Sequence, residues 1–265
     1  MGTDEEAAVN DRTRGAEVKR KPIGRRVLGW LAEGTIIIIG ALIISTLLRG
    51  FVAQMFLIPS GSMENTLQVN DRVLVAKFGG FQRGDVVVFE DPGSWLAPAP
   101  KSDNPVRIGL EFIGVLPNSA TEHLIKRVIG MPGDRVKFSA EDNRLIVNGV
   151  PLEETDYLFS DGGVQVAPAT VPFEIVVPEG HIFVMGDHRN QSADSRCRLT
   201  NTGAGEPPGM AAFVPEDKVV GAAVAIVSPL DRIATFTVPD TFSTVADPEL
   251  PVPSEPEIIE ASPGC

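Results

Sequence analysis

Cysteine and histidine are scarce in this chain. The two cysteines, Cys197 and Cys265, are too few for a disulfide framework and lack the paired spacing of a zinc site. Cys265 is the last residue of a stretch that reads as a tail, so a bridge between the two is not expected. The three histidines, His123, His181 and His188, show no ligand spacing and signal no histidine-based triad. A hydrolytic base, if the chain has one, has to be another residue type. Excess positive charge is missing as well. The net charge of −12 argues against nucleic acid as the main partner. Internal repeats are absent, and only one long apolar run occurs.

That run opens the organised part of the chain. The length of 265 residues allows one large domain or two small ones, and 43% hydrophobic residues suffice for a substantial core. Residues 1–26 are polar and charged without apolar period and read as a disordered cytoplasmic arm. Val27 to Leu48 is apolar except for Glu33, and its 22 residues span roughly 33 Å as a helix, against a hydrocarbon core of ~30 Å. A transmembrane helix over 27–48 is therefore expected. A cleaved signal peptide fits less well, because no small-x-small cleavage site follows Leu48. A buried core helix does not explain the basic cluster Lys19, Arg20, Lys21, Arg25 and Arg26 on one side. That cluster keeps the amino terminus in the cytoplasm and puts everything after Arg49 outside.

Beyond the span, strands dominate, and no strong helical period recurs. Residues 50–58, 72–77, 86–89, 124–129, 135–138, 144–147, 173–177, 181–185 and 219–226 read as strands. Asn148-Gly149 favours a tight turn. Residues 91–121 are a loop excursion of undecided structure, and residues 153–172 are loop-like. The expected architecture is mostly β. One amino-terminal transmembrane helix precedes an extracytoplasmic all-β part, with a larger β domain over 49–136 and 181–230 and a small inserted β-hairpin lobe over 137–180. Five prolines and five acids between Asp247 and Cys265, with no base, mark 231–265 as a disordered acidic tail.

Two residues carry the chemical interest. Ser62 lies in Pro59-Ser60-Gly61-Ser62-Met63, just past the span, and Lys126 lies in Leu124-Ile125-Lys126-Arg127-Val128-Ile129-Gly130. A serine hydroxyl is a weak nucleophile and needs a base to take its proton. A lysine can be that base only when neutral, and free lysine has a pKa of about 10.4. Burial can lower that value by up to ~3–5 units. Leu124 and Val128 share a strand face with Lys126 and would supply apolar cover. Taken singly, Lys126 also reads as an edge-strand surface lysine and Ser62 as a turn residue.

The ordered set is more specific. Pro59 to Met63 is followed by Arg83-Gly84-Asp85-Val86-Val87-Val88-Phe89, then by Lys126 to Asp134, then by Gly186-Asp187-His188-Arg189-Asn190-Gln191-Ser192-Ala193-Asp194-Ser195-Arg196. After one amino-terminal span, this series closely resembles bacterial type I signal peptidase over roughly residues 30–228. The resemblance implies that Ser62 is the nucleophile and Lys126 the general base. It implies that the Ser60 side chain and the Ser62 backbone N–H receive the oxyanion, and that Ser192 orients the lysine. Arg127 would pair with Asp187, and Asp194 with Arg196, as structural support for the site. Gly186 and Gly130 would permit close backbone approach. His188 departs from the family's usual asparagine, and Asn190 and Gln191 depart from the commoner Asp-Asn, all at non-catalytic positions. The lobe is short beside that of many Gram-negative members, and the single span and long acidic tail look more like a Gram-positive, actinobacterial enzyme.

The implied activity is removal of signal peptides from exported preproteins by a Ser–Lys serine endopeptidase. The implied partners are signal-peptide-bearing preproteins and membrane lipid, with no nucleic acid, and neither metal nor organic cofactor is implied. The preprotein would lie extended along a strand edge. By neighbourhood, Ile58, Met63 and Val86 are candidates for lining the pockets that take its small residues. Two alternatives are a dedicated Ser–Lys peptidase for pilin or conjugation substrates, and an inactive membrane-tethered binding protein. The latter would carry a changed Ser62 or Lys126.

Overall fold

A computed structural model describes residues 23–93, 95–96, 104–105, 123–202, 205–248 and 251–264. The chain divides into two units, Met1–Ser45 and Thr46–Cys265. In the first, helix α1 (Ile23–Phe51) begins and then continues into the second. Its window Trp30–Leu47 has a mean hydropathy of 1.9, and none of it is buried by protein. The helix has no distinct polar face, and its apolar surface is left uncovered, as a lipid-facing span requires. It starts four residues before the expected arm ends, so Ile23–Arg26 form its first turn. The rest of the expected arm lies outside the described residues.

The second unit is antiparallel β-structure. The strands are β1 (Ala53–Leu57), β2 (Arg72–Ala76), β3 (Val86–Glu90), β4 (His123–Gly130), β5 (Arg135–Ser139), β6 (Arg144–Val147) and β7 (Val150–Pro151). They continue with β8 (Ser160–Asp161), β9 (Val164–Gln165), β10 (Phe173–Val176), β11 (His181–Met185), β12 (Val214–Pro215), β13 (Val219–Ser228), β14 (Ala234–Thr235) and β15 (Glu257–Ala261). One sheet runs β1-β2-β13-β3-β4-β11-β12, with β14 on β13, and a second runs β15-β10-β5-β6-β7. The architecture is thus mostly β with one amino-terminal apolar helix, as the sequence leads one to expect.

Strand β4 is central to the first sheet. It pairs with β3, setting Val87 opposite Lys126 and Val86 opposite Arg127, and on its other edge with β11. Val73, Val75, Val86, Val88, Ile125, Met63 and Leu67 form one buried cluster. Val87, Phe89, Val128, Ile182 and Val184 form another, with Leu124 against it. The runs of buried residues in β3 and β4 reflect a sheet covered on both sides. The lobe has its own core around Phe138, Leu145, Phe173 and Ile175. Its β6–β7 turn has positive φ at both Asn148 and Gly149, the conformation that makes Asn-Gly a tight hairpin turn.

Four expectations need correction. The lobe sheet starts at Arg135, not at 137, because the Met131–Asp134 turn leads straight into β5. The loop over 153–172 contains the small β8–β9 hairpin. The described part of the tail is not disordered. Phe242 and Val245 are buried in the lobe core, and β15 pairs with β10 along the lobe's edge. Glu179 N–H donates to Pro253 O at 2.8 Å, and Asp247 stands 3.5 Å from Arg83. The prolines and acids suggested disorder, but a strand added to an open edge satisfies its own backbone whatever its composition. Cys197 is disulfide-bonded, against expectation; the chain's other cysteine, Cys265, lies outside the described residues. So does most of the 91–121 excursion.

Candidate active site

Ser62 sits at the start of a tight turn after β1. Glu64 N–H donates to Gly61 O at 3.0 Å, and Thr66 and Leu67 N–H both donate to Met63 O. Met63 and Leu67 are fully buried, which anchors the turn in the core and leaves Ser62 at its rim. Lys126 comes from the middle of β4, 64 residues later, and its Nζ lies 2.6 Å from Ser62 Oγ. Nζ also donates to Ile125 O at 2.9 Å. Lys126 is 5% exposed and Ser62 7%.

Burial lowers the Lys126 pKa to about 8. The charges of Asp194 and Asp187 pull it back up, and that of Arg196 pushes it down. Desolvation wins because no carboxylate among the described residues forms an ion pair with Nζ. An amine with a pKa near 8 is partly neutral at physiological pH. At 2.6 Å it can take the hydroxyl proton of Ser62 directly.

Ion pairs surround the dyad. Arg127 is bidentate to Asp187, through Nε at 2.8 Å and a terminal nitrogen at 2.6 Å, and lies 4.3 Å from the Tyr157 ring centroid. Burial alone would lower the Arg127 pKa, but the Asp187 charge and hydrogen bonds leave it raised. Arg196 is likewise bidentate to Asp194, at 2.9 and 2.8 Å. Burial would raise the Asp194 carboxyl; Arg196 and the Gly186 N–H hold it below its usual range. Both pairs form as the sequence leads one to expect.

The loop bearing these acids comes close to Ser62. A Cβ on Gly186 would lie 2.5 Å from Ser62 O and 2.2 Å from Ser192 Oγ, so no other residue fits there. A Cβ on Gly130 would meet Val136 and Val177 at 2.8 and 2.9 Å. Both glycines therefore permit close approach. Ser60 is exposed, and among the described residues neither its hydroxyl nor the Ser62 N–H is engaged in a hydrogen bond.

The model for the signal peptidase family, peptidase S26, matches residues 30–228. The chain belongs to that family. A signal peptidase I from Mycobacterium tuberculosis is 37% identical, covering 76% of this chain and 74% of its own length. One from Leptolyngbya laminosa is 33% identical, covering 80% and 87%. A solved signal peptidase I from Enterococcus faecalis V583 matches at 24% identity with a TM-score of 0.32, over 55% of this chain and 97% of that one.

Two groups of residues expected at a signal peptidase site sit differently from the sequence reading. Ser192 is buried, but its Oγ meets hydrogen-bond geometry with no partner, Lys126 included. It is near enough to Asp194 to help hold that carboxyl down. Ile58, Met63 and Val86 lie together in one core cluster beside Ser62, at 2%, 0% and 3% exposure.

Several supporting residues escape the sequence reading. Thr66 donates to Asp187, Arg189 is paired with Glu154, and His188 Nδ1 meets Glu64 at 2.8 Å. Glu154 and Glu64 carry no local signal, since their partners lie 35 and 124 residues away. His188 is turned to Glu64 and does not take the base's place beside Ser62. Among the described residues, no group of three or more His, Cys, Asp or Glu side chains is arranged to hold a metal ion.

Proposed function

We propose that this chain is a signal peptidase I that removes signal peptides from exported preproteins through a Ser62–Lys126 dyad. The observation that carries this reading is the buried amine 2.6 Å from the serine hydroxyl.

In the first step Ser62 Oγ attacks the scissile carbonyl while neutral Lys126 takes its proton. The negative charge passes to the carbonyl oxygen, where the Ser62 N–H and the Ser60 hydroxyl donate to it. Removing one such donor commonly costs about 2.7–4 kcal/mol. Collapse of the intermediate breaks the peptide bond. The Lys126 ammonium returns its proton to the departing amine, leaving an acyl-Ser62 ester and a neutral lysine. Lys126 then activates a water, which hydrolyses the ester and restores both residues. By the family resemblance, Ser192 would steady Lys126 between steps. Ile58, Met63 and Val86 would underlie small apolar pockets.

The apolar helix anchors the enzyme in the membrane beside its tethered substrates, which raises effective concentration. The reading places the basic amino terminus in the cytoplasm and the β unit outside; protease protection of the β unit in spheroplasts opposes it.

The decisive assay is cleavage, in detergent, of a preprotein with Ala-x-Ala before the cut. Cutting after the second alanine by wild type, with silence from S62A and K126M, is the expected result. Activity surviving in K126M would sink the dyad. Wild type that cuts no general preprotein would move the assignment to a dedicated substrate.

A further inference from the structure

His188 and Glu64 stand outside the proposed chemistry, yet both bear on the turn that carries Ser62. The loop over residues 186–192 reaches this turn at three points. The His188 N–H donates to Ser62 O at 3.1 Å, the Asp187 carboxylate accepts from the Thr66 hydroxyl, and His188 Nδ1 meets Glu64 Oε2 at 2.8 Å. The first contact is backbone only, and the second is shared with Arg127. The third is a side-chain pair with no other evident duty.

Its position is specific. The Glu64 carboxylate folds back against Gly61, the residue between Ser60 and Ser62. A Cβ on Gly61 would stand 2.8 Å from both Glu64 Cδ and Oε1. The imidazole that holds this carboxylate is 3% exposed. It is stacked on Phe159 with ring centroids 3.8 Å apart and planes at 23°. Phe159 is itself fixed, its N–H donating to Asp187 O at 3.1 Å. The chain of contact therefore runs from the lobe loop through Phe159, His188 and Glu64 to the backbone beneath the nucleophile. With Glu64 ionised, Nδ1 is the donor, and both the neutral ring and the imidazolium can fill that role.

We propose that His188 and Glu64 form a positioning clamp that sets the Ser62 turn for attack. It acts on turnover and not on substrate affinity. Displacing reacting groups by as little as 1 Å can cost on the order of 100-fold in rate. A clamp that limits part of such a displacement should be worth about tenfold.

The inference rests on the signal peptidase reading, and the experiment separates the two. Full-length protein is assayed in detergent with the Ala-x-Ala preprotein, and amide hydrogen exchange is followed at Glu64 and Leu67. H188L keeps the bulk against Phe159 but cannot donate. H188N restores a donor close to the position of Nδ1 without the ring. E64A removes the acceptor from a partly exposed site, so it remains informative if H188L fails to fold. H188L and E64A are expected to lower kcat about tenfold with KM within about twofold of wild type. H188N should recover to within about threefold, and the H188L/E64A double variant should be no worse than either single one. Exchange should quicken in H188L and E64A and return towards wild type in H188N. Unchanged kcat and exchange in H188L and E64A would overturn the clamp. So would H188N falling as far as H188L, which would leave ring packing alone, or an effect confined to KM. A wild type silent on the preprotein, with exchange still quickened in H188L, would overturn the function and leave the clamp standing.

Discussion

Lys126 and Arg127 are neighbours on one strand, both cations, both nearly buried, and their surroundings treat them in opposite ways. Arg127 meets a carboxylate in bidentate geometry, a carbonyl at Gly84 and the face of Tyr157, and its charge is locked on. Lys126 meets a hydroxyl and a single carbonyl, and its charge is only marginally held, with a pKa of about 8. The difference is not burial, which the two share. It is whether the burial comes with a counter-charge. One strand thus supplies a permanent structural cation and, one residue before it, an amine that can lose its proton.

The largest effects should come from erasing that difference. K126M and S62A should each lower kcat by at least about 1,000-fold in the preprotein assay, the scale for losing one member of a nucleophile–base unit. K126R is the sharper variant. It keeps the positive charge, but a guanidinium cannot act as a base near neutral pH, so activity should fall as far as in K126M.

Stability should move in the opposite sense at the two positions. R127M strands Asp187 without its partner and should cost about 3–5 kcal/mol in urea unfolding. K126M removes a buried amine that has no ion-pair partner and should be neutral or stabilising. An R127M protein as stable as wild type would mean that the two sites do not differ as described.

The pH dependence expected near pH 8 comes from Lys126. The base works when neutral, so kcat/KM should rise with pH and reach half its maximum near pH 8. Stability should track the same group. The folded pKa of about 8 lies below the unfolded value near 10.5, so between them the unfolded chain binds more protons. Unfolding free energy should then increase with pH across that window, and K126M should flatten the rise. The smallest effect expected is at Thr66, whose hydroxyl is one of several donors to Asp187. T66V should cost about 1 kcal/mol in stability with Arg127 still in place.

Much of the molecule was legible from residue order. The apolar span stands out because lipid demands a helix of fixed length. The strands of the β unit show through their runs and alternations, and the Asn148-Gly149 turn through the φ values it needs. The Pro59–Met63, Arg83–Phe89, Lys126–Asp134 and Gly186–Arg196 motifs could be picked out because four short patterns keep one order along the chain. The features that stayed hidden depend on contacts distant in sequence. The carboxyl-terminal segment looked disordered by composition, yet Phe242 fills the lobe core and Glu257–Ala261 completes a sheet edge. Neither the Glu154 partnership with Arg189 nor that of Glu64 with His188 leaves a local trace.

Residue order alone was enough for the long apolar helix, the β character of the chain beyond it, and which serine and lysine were worth pairing, since these rest on periodicity, length and short motifs. The packed structure alone decided that Lys126 lies 2.6 Å from Ser62 with no carboxylate among the described residues in an ion pair with it, while Arg127 has one. Lysine chemistry depends on the groups packed around the amine, and packing brings together residues that are far apart in the chain.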